Sequence, residues 1–193
     1  AYQMAFRDEL TGLPGRRALN ERMQRLGRNY VLAMTDVDHF KKFNDTHGHD
    51  VGDQVLRLVA SKLSKVTGGG RAYRYGGEEF AVVFAGKTMD ECMPHLEMIR
   101  EIIATYNIQL RNQDNRPQDD QQGRQRRGVA AASSVSVTIS IGVAERLAEH
   151  RTPEEVLKAA DQALYSAKGA GRNCVIAFGQ NRRGAVRMDT AAG

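Results

Sequence analysis

Arg71-Ala72-Tyr73-Arg74-Tyr75-Gly76-Gly77-Glu78-Glu79-Phe80-Ala81-Val82-Val83-Phe84-Ala85 is the stretch that decides the architecture. Two runs rich in aromatic and β-branched residues flank a Gly-Gly pair, which supplies the positive φ of a tight turn. The spacing predicts a β-hairpin, with Glu78 and Glu79 directly after its turn. A glycine pair there also lets the backbone approach a ligand closely.

Moving outward, Tyr30 to Thr35 is a short apolar run leading straight into Asp36-Val37-Asp38, a buried strand that ends in acids. Arg16 to Arg28 has helical apolar spacing at Leu19, Met23 and Leu26. Asp50, as N-cap, opens a helix whose Val51, Val55, Leu58, Val59 and Leu63 share a face, and Gly68-Gly69-Gly70 stops it. Met89 to Tyr106 and Pro153 to Lys168 are predicted helices. Val135 to Ile141 alternates like a half-buried strand, and Cys174 to Phe178 forms a last strand. Residues 107–128 are polar and read as a flexible insertion, and the tail 180–193 as disordered. The remainder, within residues 1–179, is one α/β (α+β) domain, the size a chain of 193 residues supports.

Acids at the end of an apolar strand repel one another unless a cation lies between them. If the strand ending at Asp36 neighbours the hairpin, Asp36, Glu78 and Glu79 converge. Such hard oxygen donors suit Mg²⁺ or Mn²⁺, ions that bridge to substrate phosphates. A calcium loop is excluded because Phe40 stands at the fifth position counted from Asp36, and Gly86-Lys87-Thr88 lacks the earlier glycine of a phosphate loop, having Ala81 there. Cys92 and Cys174 lie far apart with no metal-binding spacing, which fits a reducing, cytoplasmic setting. No apolar run reaches the roughly 20 residues of a membrane span.

Gly76-Gly77-Glu78-Glu79-Phe80 resembles the signature of the GGDEF domain, the diguanylate cyclases, in its GGEEF form. Five further segments match in order: Asp8 to Pro14; Asp36 to Lys41 with Asn44-Asp45; Gly48-His49-Asp50 with Gly52-Asp53; Ser140 to Ala144; and Ala160-Asp161 through Gly171-Arg172-Asn173. The resemblance implies a palm-like, mostly antiparallel sheet of five strands flanked by helices, as in nucleotidyl cyclases. It further implies condensation of two GTP into cyclic di-GMP and two pyrophosphates, in a homodimer whose domains each hold one GTP.

Carried over by position, Asp36, the Val37 carbonyl, Glu78 and Glu79 are metal ligands for two Mg²⁺ (or Mn²⁺) per half-site, with Glu78 and Glu79 also catalytic and Glu78 the one expected to help deprotonate the 3′-hydroxyl. His39, Phe40, Gly76 and Gly77 cradle phosphates through their backbone, and Lys41, Lys168 and Arg172 supply positive charge. Asn44 and Asp53 read guanine: a carboxylate accepts from its N1–H and amine, whereas adenine offers an acceptor at N1. His47 and His49 are assigned structural roles. An upstream sensor or membrane region is expected outside these residues, which begin with Ala1.

The product-inhibition site of many family members, Arg-x-x-Asp placed five residues before the Gly-Gly turn, reads Thr67-Gly68-Gly69-Gly70 here, and Gly15 replaces a common asparagine. The alternative reading is a catalytically silent module that binds GTP or cyclic di-GMP or a partner. Nucleic acid is not an expected partner: of the net charge of +5, residues 107–128 hold five Arg against three Asp and residues 181–193 three Arg against one Asp, leaving +1 on the rest. The basic balance therefore sits in the two polar segments.

Overall fold

The computed structural model describes residues 6–110 and 134–179. The insertion beyond Leu110 and the tail 180–193 lie outside the described residues. Chain order is α1 (Arg16–Met23), β1 (Tyr30–Val37), α2 (Phe40–His47), α3 (His49–Leu63), β2 (Arg71–Gly76), β3 (Glu79–Ala85), α4 (Met89–Thr105), β4 (Ile108–Gln109), β5 (Ser134–Val135), β6 (Ile139–Glu145), α5 (Pro153–Gly169) and β7 (Val175–Ala177). Five strands form one sheet in the order β2-β3-β1-β6-β7. Only β6 and β7 run parallel, joined by the crossover helix α5; the other three pairings are antiparallel.

Alternation along β1 divides the core. Val31 and Ala33 face α3 and α4 together with Val82, Phe84, Ile141 and Val143. Leu32 and Met34 face α1 and α5 together with Ala81, Val83 and Ala144. All eight residues of β1 are buried, because it is the central strand and helices cover both faces. Gly142 lets α5 lie directly on β6: a Cβ there would stand 2.0 Å from the Leu164 nitrogen and 2.2 Å from the Ala160 oxygen. A side chain cannot be accommodated against helix backbone at that distance.

Several boundaries differ from the sequence expectation. The first helix ends at Met23, and residues 24–26 unwind through looser turn bonds, with Leu26 still packed on the core. Asp50 is not the N-cap of α3; Gly48, with φ of 88°, takes that position and no side chain caps the helix. Phe40–His47 is a separate helix that sequence periodicity did not reveal, since only Phe40 and Phe43 mark an apolar side. Val135–Ile141 is not continuous: the ladder is interrupted between Val135 and Ile139. Within the expected insertion, Ile108 is buried and Ile108–Gln109 pairs with Ser134–Val135, so the base of that segment is a two-stranded ribbon. The helix Met89–Thr105 matches its expectation and starts on a capping box between Thr88 and Glu91.

Candidate active site

Register brings the acids together. Asp36 sits opposite Glu79 of β3 on one side and opposite Ser140 of β6 on the other. Directly paired residues in an antiparallel ladder point to the same face, with Cβ atoms about 5 Å apart, and like charges there are unfavourable. The Val37 amide donates to the Glu78 carbonyl at 3.3 Å, which ties the start of the hairpin to the end of β1. Gly77 has φ of 45°, whereas Gly76 keeps an ordinary φ beside a register shift between Arg74 and Gly76.

The resulting negative charge is only partly compensated. Asp36 is 5% exposed. Its Oδ2 accepts from the Lys168 ammonium, while its Oδ1 is buried and receives no amide, hydroxyl or ammonium donor. Burial, then the Asp36 charge and a hydrogen bond between the two carboxyls, push the Glu78 carboxyl up to about 7. Glu79 is also raised, by burial and then by Asp36 and Asp161. Burial alone would lower the Lys168 ammonium, but its hydrogen bond to Asp36 and the charges of Asp36, Glu79 and Glu78 outweigh that and raise it. The site is a cluster of carboxyl groups whose charge one lysine offsets only in part.

A buried carboxylate oxygen without an amide, hydroxyl or ammonium donor, beside two carboxyls whose pKa values are raised, is the donor chemistry that a hard divalent cation satisfies. Asp36, the Val37 carbonyl, Glu78 and Glu79 are the groups that would hold it. As they stand, no three His, Cys, Asp or Glu side chains among the described residues close around a common point. Lys168 occupies Asp36 instead.

The other expected site residues lie on α2, on α3 and in the loops beside α2 and α5. His39, exposed and left-handed at φ of 57°, precedes α2 and leaves Phe40 to begin it. Lys41 is exposed on α2. Asn44 of α2 packs against Gly52 of α3, adjacent to Asp53, and the Asn44 Oδ1 is buried without a partner. A Cβ on Gly52 would lie 1.8 Å from that oxygen. Arg172 is exposed in the loop after α5. His47 stacks on Phe43 with ring centroids 4.5 Å apart, a packing role within α2.

Two positioning groups carried no assigned role in the sequence reading. Arg74 donates to the Gly77 carbonyl from Nε at 3.1 Å and Nη2 at 2.5 Å, and from Nη1 to both Asp8 oxygens at 3.1 and 2.9 Å. Asp8 also accepts from the Thr11 amide and hydroxyl; these bonds and Arg74 outweigh burial and lower its carboxyl. The opening segment thereby braces the Gly-Gly turn. Asp38, to which the sequence assigns no ligand role, accepts at its carboxylate from Ser140 Oγ at 2.6 Å, Thr138 Oγ1 at 2.7 Å and the Asn173 amide at 3.0 Å. The only available sequence signal was charge next to a strand end, which cannot say which acid is saturated.

The family model described as "Diguanylate cyclase, GGDEF domain" matches residues 5–123 and 121–174. The chain belongs to the GGDEF family. Among curated relatives, the response regulator PleD of Caulobacter vibrioides is 36% identical over 91% of this chain and 37% of its own length. The diguanylate cyclase VdcA of Vibrio cholerae is 36% identical over 89% of this chain and 47% of its own length. This GGDEF chain thus spans less than half of those two proteins. The crystal structure of the GGDEF domain of DgcB from Caulobacter crescentus in complex with c-di-GMP superposes with a TM-score of 0.76 at 34% identity, covering 91% of this chain and 94% of that one. The five-stranded sheet flanked by helices is accordingly the palm-like cyclase fold, and the family's nucleotidyl cyclases need divalent metal. Among the described residues, no helix is long and apolar enough to cross a membrane.

Proposed function

We propose that this domain condenses two GTP molecules into cyclic di-GMP and two pyrophosphates. The observation that carries the reading is the register pair Asp36–Glu79 with Glu78 beside it, an acid cluster whose Asp36 Oδ1 receives no amide, hydroxyl or ammonium donor. Mg²⁺ or Mn²⁺, two per half-site, would lower the pKa of a 3′-hydroxyl and neutralise charge developing on the phosphates. The chain's own residues do the rest. Asn44 and Asp53 hold guanine by its N1–H, amine and O6 edge. The backbone around His39, Phe40, Gly76 and Gly77 lies against the phosphates, and Lys41, Lys168 and Arg172 bind the triphosphate.

In each half-reaction the 3′-oxygen of one GTP forms a bond to the α-phosphorus of the other, the bond from that phosphorus to the β-phosphate bridging oxygen breaks, and pyrophosphate leaves. The 3′-hydroxyl proton passes to Glu78, the acid pushed furthest up. One domain holds a nucleophile without its electrophile, so two domains must face each other, and a homodimer is the active form. The setting we assign is the cytoplasm, with a sensor or membrane region upstream.

The test is incubation of a dimerised form with GTP and Mg²⁺, with chromatographic detection of cyclic di-GMP and Glu78→Ala as control. Product from the parent and none from Glu78→Ala is expected. Nucleotide binding without product would overturn the enzyme reading in favour of a silent receptor module.

A further inference from the structure

Arg172 and Asn173 are consecutive non-glycine residues in left-handed backbone, with φ of 66° and 48°. Each such residue costs on the order of 1–3 kcal/mol and persists only where its surroundings hold it. Here three contacts do so. The Arg172 amide donates to the Ala167 carbonyl at 3.0 Å, which continues from the end of α5. The Asn173 amide donates to Asp38 Oδ2 at 3.0 Å. The Asn173 Oδ1 accepts from Arg100 Nη1 of α4 at 2.7 Å.

Both outside partners are themselves fixed. Asp38 is 7% exposed, and Ser140 and Thr138 of the β6 side donate to its two oxygens. Arg100 donates from Nε and Nη2 to Glu97 Oε2, one turn earlier on α4, at 3.1 and 3.0 Å, which leaves Nη1 directed at Asn173. A surface ion pair such as Glu97–Arg100 adds little to stability, typically below about 1 kcal/mol. Its geometric effect is larger, because misplacing a binding group by about 1 Å has a marked effect on function.

We propose that Glu97 and Arg100, together with Asp38, are positioning residues that clamp Asn173 and so set the aim of Arg172 at the triphosphate. This rests on the reading of Arg172 given under the proposed function. Glu97 and Arg100 belong to none of the sequence motifs and touch no expected ligand. Their influence passes through the backbone of the 171–173 loop.

The experiment is isothermal titration calorimetry of 3′-deoxy-GTP, which lacks the attacking hydroxyl, and of GMP, which lacks the β- and γ-phosphates. Arg100→Ala should weaken 3′-deoxy-GTP about 5- to 10-fold, the effect of one lost charge-assisted contact, and leave GMP within about twofold. In an Arg172→Ala background it should add nothing, because a group acting only through Arg172 has nothing left to aim. Arg100→Lys, which keeps one donor, should recover part of the affinity. Glu97→Ala, which leaves Arg100 in place but untethered, should give a smaller loss of the same selectivity and serves if Arg100→Ala folds poorly. Equal weakening of both nucleotides, additivity with Arg172→Ala, or full affinity in Arg100→Ala while Arg172→Ala binds weakly would overturn the clamp alone. Unchanged affinity in Arg172→Ala would overturn the triphosphate reading of that residue, and the clamp with it.

Discussion

Replacing Glu78 with Gln should make the metal-free domain more stable above neutral pH while abolishing turnover. Burial and the Asp36 charge lift the Glu78 carboxyl from 4.5 to about 7 in the folded protein. The unfolded chain releases this proton near 4.5, so between about 4.5 and 7 the folded state binds more protons and stability falls as pH rises. The gap corresponds to about 3.4 kcal/mol at about 1.36 kcal/mol for each pH unit. Glu78 is only half-buried, and solvent screening reduces this to about 1–2 kcal/mol. Gln has no charge to desolvate, so Glu78→Gln should melt roughly 3–6 °C above the parent at about pH 8 in chelator, and no higher than the parent at about pH 5. Circular dichroism melts at both pH values read this directly. Adding Mg²⁺ should reverse the order at the higher pH, since the parent binds the cation with an acid that the variant lacks. A variant that melts at or below the parent in chelator at about pH 8 would refute the claim that this carboxyl is held against its charge.

Three other outcomes follow from local geometry. Gly52→Ala puts a methyl 1.8 Å from the Asn44 Oδ1; displacement of that amide should lower affinity for GTP at least about tenfold, measured by calorimetry, with the fold retained in circular dichroism. Gly142→Ala puts a methyl 2.0 Å from the Leu164 nitrogen and 2.2 Å from the Ala160 oxygen, and the overpacking should lower stability by about 2–4 kcal/mol in denaturant titration; an unchanged midpoint would contradict the close packing of α5 on β6. Cyclic di-GMP titrated into a GTP turnover assay should give no noncompetitive inhibition at submicromolar concentration through positions 67–70: Thr67 is engaged with His95 at 2.7 Å, and a side chain on Gly68 would start 2.3 Å from the His95 ring.

The hairpin, the acid-tipped strand and the main helices were legible in the residues themselves, because each depends on local chemistry. A Gly-Gly pair between β-formers makes a turn, and alternation or 3.6-residue periodicity marks a face. Asp36, Glu78 and Glu79 could be picked out as an anomaly for the same reason: charges at the end of an apolar strand have no local justification. The short helix Phe40–His47 escaped because its polar sequence carries almost no periodic signal; it is held by packing of Phe40 and Phe43 on the core. The capping role expected of Asp50 failed because Gly48 can take a φ of 88° that redirects the chain before Asp50 is reached.

What the sequence determined by itself is the set of elements, the family signature and the identity of the acids. The tertiary structure decided what surrounds each acid. Asp36 and Asp38 are chemically identical and two residues apart, and no local rule separates them. The register of β1 against β3 and β6 places Asp36 opposite Glu79, with one oxygen given no amide, hydroxyl or ammonium donor, while Thr138, Ser140 and the Asn173 amide saturate Asp38 from residues at least a hundred positions away. A carboxylate's role depends on its neighbours' charges and donors. Those neighbours are brought together by strand pairing and the α5 crossover, which no short window of sequence contains.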